Sequence, residues 1–318
     1  CTTLRDRAPM FDPNIRPIGK PMFTGLNAFP LTPLRDDTFD EAAYARLLER
    51  LVAAGVDSIT ALGSTGSYMY LDRDERRRVA TAAVQHAGVI PVMVGIGALR
   101  TSQVQRLADD PQHAGAAAVL LAPVTYQALD DDEVFGLFED VTAGLSVPLV
   151  VYDNPGTTHV TFTDDLYARI AALPRVASIK IPGVPSDSAG AIARVRTIRD
   201  HVPADVTVGI SGDSVAATGL IAGCDAWYSV IGGTLPAPAL TITRAALTGD
   251  HAAASAESAR LQPLWAMFGQ YGSYRVTAAI AEHLELVAPD SLPRPVQGLD
   301  TAARARVAQL LDELKLAG

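Results

Sequence analysis

Val176-Ala177-Ser178-Ile179-Lys180-Ile181 is a short run rich in β-branched residues, and residues 186–200 after it read as a helix. Working outward from this unit, the chain repeats it. Residues 23–30 precede a helical stretch at 39–54, 57–62 precede 72–86, and 90–96 precede a helix from about Thr101. Residues 117–121 precede a helix from Asp131, and 149–152 precede 162–172. Residues 206–210 precede 213–222, and 226–231 precede 237–247. Asp72 with Glu75 three residues on reads as a capping box. Strands alternating with helices imply a parallel sheet, because a parallel crossover needs the helix. Eight such units imply closure into a (β/α)8 TIM barrel. An open doubly wound sheet usually has fewer units and a Gly-rich first turn, and neither is seen.

The barrel is expected to occupy residues 23–248. Residues 1–22 carry Pro9, Pro13, Pro17 and Pro21, which suit an extended N-terminal arm. Beyond His251 the strand signal stops, and 252–268, 273–286 and 301–316 read as helices, so 249–318 is expected to be a C-terminal helical region.

Bulk composition narrows the function classes. The chain has 318 residues, a net charge of −9 and only 19% charged side chains. Phosphate-backbone binding needs clustered Lys and Arg, so nucleic acid is not an expected partner. The densest basic run, Arg76-Arg77-Arg78, follows Asp72, Asp74 and Glu75 and reads as a solvated helix face. The two cysteines, Cys1 and Cys224, fit no metal or redox spacing and favour a reducing, cytoplasmic setting. Arg5, Asp6 and Arg7 precede no apolar run, so no signal peptide is expected. No stretch of about eighteen apolar residues suggests a membrane span.

Barrel enzymes place their chemistry at the C-terminal ends of the strands. Lys180 stands out there. The chain has three lysines, Lys20, Lys180 and Lys315, and 23 arginines. Alternation sets Ile179 and Ile181 on one face of the strand and Ser178 and Lys180 on the other. A charged lysine facing the helices would be costly, so the barrel interior is its expected place. Arginine would serve for charge alone; only lysine becomes a nucleophilic amine when burial lowers its pKa. Tyr152 ends another strand, where a phenol can shuttle protons. Gly63-Ser64-Thr65-Gly66 follows a strand, and its hydroxyls and N–H groups suit a carboxylate.

Taken in order, Phe29-Pro30-Leu31-Thr32-Pro33, Gly63-Ser64-Thr65-Gly66, Leu71 with Glu75-Arg76, Tyr152-x-Asn154-Pro155, Lys180, Ser211-Gly212-Asp213 and Ser229-Val230 resemble the dihydrodipicolinate synthase / N-acetylneuraminate lyase family. The resemblance covers roughly residues 22–290. It implies a class I aldolase in which Lys180 forms a Schiff base with pyruvate or another 2-oxo acid and Tyr152 moves protons. It also implies that Ser64 and Thr65 hold the carboxylate, and that the backbone carbonyl of Tyr228 faces the bound keto acid. No metal or organic cofactor is implied. The assembly implied is a homotetramer, a dimer of dimers, and the second substrate an aldehyde.

Four departures bear on substrate. Ser67 stands where family members often have Glu. Thr157 stands where the synthases carry an arginine for the second substrate's carboxylate. Val124-Thr125-Tyr126 replaces a Tyr-Tyr pair, leaving Tyr126 as the one tyrosine of a proton relay that crosses a subunit interface in the synthases. Asp153 replaces the usual Asn. The expected function is therefore a lyase, of aldolase or dehydratase type, on a 2-oxo acid such as pyruvate or a sugar-derived keto acid. Alternatives are 4-hydroxy-tetrahydrodipicolinate synthase, and an inactive family member that binds small molecules or regulates. Two further barrel readings are a metal enzyme using Asp153, Asp213 and histidines, and a phosphate site at Gly212 and Gly232-Gly233.

Overall fold

The computed structural model describes residues 23–316. Eight parallel strands close into a barrel: β1 (Gly25–Ala28) and, after a separate hairpin of β2 (Leu34–Arg35) and β3 (Thr38–Phe39) outside the ring, β4 (Ser58–Ala61), β5 (Val92–Gly95), β6 (Ala118–Leu121), β7 (Leu149–Tyr152), β8 (Val176–Ile181), β9 (Thr207–Ile210) and β10 (Ala226–Ser229). Each strand pairs with the next in sequence, and β1 closes the ring between β4 and β10. The fold is a (β/α)8 TIM barrel with C-terminal helices. The proline-bearing stretch 1–22 lies outside the described residues.

Along each strand alternate residues point into the barrel and out toward the helices. Outward residues such as Val151, Ile179 and Ile181 join the large apolar core under the helices. Inward residues form a second, smaller cluster that includes Phe29, Met93, Leu120, Val150, Tyr152 and Tyr228. The floor of the barrel is polar and internally paired. Asn27 donates to Ser58 Oγ (2.5 Å), and Thr60 donates to Asn27 Oδ1 (2.6 Å). Gly209 is required by the close packing inside: a Cβ there would lie 2.2 Å from the Tyr228 ring.

The helices largely start where capping chemistry directs. In α2 (Arg73–His86) Asp72 and Glu75 form a complete capping box, and Asp130 and Glu133 form another at α4 (Asp131–Thr142). Three differences from the sequence reading have physical causes. Phe39, expected to open a helix, lies in a hairpin of β2 (Leu34–Arg35) and β3 (Thr38–Phe39), and α1 (Glu41–Ala54) starts after it. The turn residues Asp36 and Asp37 both have positive φ, which a two-residue hairpin demands. The expected helix at 252–268 is two, α10 (His251–Arg260) and α11 (Gln262–Tyr271), with Pro263 in the first turn of the second, where its missing N–H costs least. The third correction is Arg76. It does not sit on a solvated face but is buried, donating to the carbonyls of Gly97 (3.1 Å) and Gly95 (2.9 Å) with its guanidinium over the Tyr68 ring. Arg77 and Arg78 are exposed as expected.

Candidate active site

Lys180 lies one residue from the end of β8 and is the register partner of Tyr152 at the end of β7. Parallel pairing thus sets the two inward side chains beside each other. The Lys180 amine is 3.4 Å from the centroid of the Tyr152 ring and 5.3 Å from that of Phe29. The residue is only 4% exposed. Burial lowers its pKa, against the opposing pull of Tyr152, Asp213 and Asp153.

The Tyr152 hydroxyl is placed from two sides. Asn154 Nδ2 donates to it at 2.9 Å, and Ser64 Oγ lies 3.5 Å away. Asn154 also donates to Thr157 Oγ1 (2.5 Å), so Thr157 helps fix the amide that holds the phenol. Ser64 and Thr65 come from the loop after β4. The loop can turn this tightly because Gly95 faces it: a Cβ at Gly95 would fall 1.9 Å from the Leu62 carbonyl oxygen.

Two buried carboxyls back the site. Asp213, after β9, accepts from Trp227 Nε1 (3.0 Å) and from the backbone N–H of Val230 (3.2 Å) and Ile231 (2.7 Å). Burial still pushes its pKa up to about 6. Asp153 accepts from the Tyr167 hydroxyl, and its other oxygen is buried with no hydrogen-bond partner. Burial raises this carboxyl to about 6 as well. Among the described residues, no three His, Cys, Asp or Glu side chains gather as a metal site.

These elements open onto a cavity of about 720 Å³. It gathers Lys180, Tyr152, Ser64, Thr65 and Tyr228 of the residues singled out from sequence. Tyr228 is buried, with its hydroxyl 2.7 Å from Ser178 Oγ. Tyr126 is not brought in: it stands 88% exposed on the loop after β6, outside the cavity of its own chain. Sequence reasoning missed one wall. Phe268 of α11 and Gly272, Ser273 and Tyr274 at the start of α12 (Ser273–His283) face the barrel mouth. Only the apolar spacing of the C-terminal helices hinted at packing there, and nothing in it marked Tyr274. No helix among the described residues is long and apolar enough to cross a membrane.

The model of the dihydrodipicolinate synthetase family matches residues 22–314. A 4-hydroxy-tetrahydrodipicolinate synthase of Phenylobacterium zucineum is 30% identical over 289 residues, covering 90% of this chain and 96% of that protein. The crystal structure of a dihydrodipicolinate synthase from Agrobacterium tumefaciens is 43% identical, with a TM-score of 0.89 and coverage of 92% and 98%. The dihydrodipicolinate synthase of Acinetobacter baumannii, solved in complex with pyruvate, is 23% identical with a TM-score of 0.84 and coverage of 92% and 99%, a likeness of fold.

Proposed function

Because this chain belongs to the dihydrodipicolinate synthetase family, we propose that it is a class I lyase whose Lys180 forms a Schiff base with a 2-oxo acid such as pyruvate. The observation that carries the reading is the buried Lys180 amine over the Tyr152 ring at the floor of an open cavity. A neutral amine attacks the C2 carbonyl, and water leaves as the imine forms. The Tyr152 hydroxyl gives and takes the protons of these steps, held by Asn154 and beside Ser64. Ser64 and Thr65 hold the substrate carboxylate, and the Tyr228 carbonyl faces the keto acid. The protonated imine draws electrons from C3, so loss of a C3 proton gives an enamine. The enamine carbon adds to an aldehyde, whose oxygen takes up a proton; the reverse sequence cleaves the same bond.

The named relatives raise the synthase itself as a second reading. Thr157, bonded to Asn154, occupies the place where the resemblance expects an arginine. No arginine lines the cavity among the described residues. This favours an aldolase or dehydratase acting on an uncharged or hydroxylated partner over a synthase acting on a charged semialdehyde. We further propose a cytoplasmic homotetramer, with the exposed Tyr126 at a contact between chains.

The test is to incubate the protein with pyruvate, add borohydride and map the modified peptide. A pyruvate-dependent mass gain on Lys180, absent in Lys180→Ala, is expected. No adduct with pyruvate or a panel of 2-oxo acids would sink the proposal and favour a non-catalytic role.

A further inference from the structure

The cavity extends well beyond the amine that would hold a carbonyl. The groups around Lys180 come from strand ends, whereas the outer wall comes from α11 and α12. Where this wall meets the barrel, Ser67 Oγ and the Tyr274 hydroxyl share a hydrogen bond. Both residues line the cavity. Two hydroxyls that share one hydrogen retain a second donor and free lone pairs between them. Ser67 is held in place by a left-handed backbone (φ 60°) at the start of a short 3-10 turn. Burial pushes the Tyr274 phenol up to about 12, so it stays neutral and able to donate across the physiological range.

The charges of the cavity exclude other tails. Among the described lining residues, Lys180 is the one lysine or arginine, and the carbonyl claims it. A carboxylate at the far end of a substrate would meet no lining cation there: Arg275, close enough to Tyr274 to act on its phenol, donates to the Gln297 carbonyl and does not line the cavity. An alkyl tail would strip water from the two hydroxyls and return no hydrogen bond.

We propose that Ser67 and Tyr274 form a specificity subsite for a neutral, hydroxyl-bearing tail on the 2-oxo acid or on its aldehyde partner. The proposal rests on the Schiff-base reading of Lys180. A site built to bond hydroxyls rejects the analogue that lacks them far more strongly than an apolar pocket rejects an added group.

The experiment measures the concentration giving half-maximal borohydride trapping for four acids. Pyruvate has no tail; 2-oxohexanoate, 2-oxo-3-deoxyhexonate and 2-oxoadipate carry an alkyl, a hydroxylated and a carboxylate tail. In the unaltered protein the hydroxylated acid is expected to trap at a concentration about tenfold lower than either other tailed acid. In Tyr274→Phe and in Ser67→Ala that ratio is expected to fall toward one. A merely structural tie between α12 and the barrel would weaken trapping of all acids alike and leave the ratio standing, which overturns the proposal. Equal trapping of all tails by the unaltered protein, or a preference for 2-oxoadipate, overturns it too. If pyruvate itself gives no adduct, the Schiff-base reading falls first and the subsite falls with it.

Discussion

At the scale of single residues, the site gathers groups that are costly to bury. Lys180, Asp153 and Asp213 are all desolvated, and their pKa values move toward neutrality from opposite sides. Asp153 offers a direct measure of that cost. Its folded carboxyl titrates near 6 and an unfolded one near 3.8, so the folded state binds more protons between those values. Stability therefore falls as pH rises from about 4 to about 6, and the penalty persists above it. A gap of about two pKa units corresponds to at most about 3 kcal/mol. Asp153→Asn removes the titration while an amide oxygen can still accept from Tyr167. Urea unfolding at pH 5 and pH 8 is expected to show the variant gaining on the parent at the higher pH. A parallel pH dependence in both proteins would contradict the assignment.

At the scale of elements, α2 illustrates what a sequence pattern hides. Asp72 and Glu75 announced its start, and the capping box is there. The three arginines that follow look alike in sequence, yet one turns inward to hold the carbonyls of Gly95 and Gly97. The distinction depends on which helix face meets the end of β5, a tertiary fact. Arg76→Ala would leave two carbonyls without their guanidinium and is expected to cost about 2–4 kcal/mol. Arg77→Ala, on the exposed side, is expected to change stability by less than about 0.5 kcal/mol. Denaturant midpoints of the two variants check the contrast. The hairpin at β2 and β3 escaped notice for a related reason. Its two-residue strands are too short to carry a period, and its Asp36-Asp37 turn lacks the glycine that usually signals one.

At the scale of the whole molecule, the barrel was legible because eight strand-helix units leave few ways to satisfy a parallel sheet. Lys180 was legible because lysine is scarce here and sits where an inward strand residue must lie. Its register pairing with Tyr152 was not, since alternation gives the face of a strand but not its offset from the next. Tyr274 was beyond reach because it joins the cavity only through the docking of α11 and α12. For the assembly, light scattering is expected to give four times the 33.4 kDa chain mass, and Tyr126→Ala to lower it. A monomer in the unaltered protein would refute the tetramer.

The seam of the barrel also sets an order of events during synthesis. β1 leaves the ribosome before the other seven barrel strands, yet one of its edges pairs only with β10, from Gly25 opposite Ala226 to Ala28 opposite Ser229. The Gly25 amide likewise waits for the Asp225 carbonyl. For about 200 residues of translation that edge has no partner, and such long-range closure is slow and exposes strands to pairing with other chains. A nascent chain halted before Ala226 would carry open edges on both β1 and β9, so the interval before ring closure is when a chaperone would matter most to this protein.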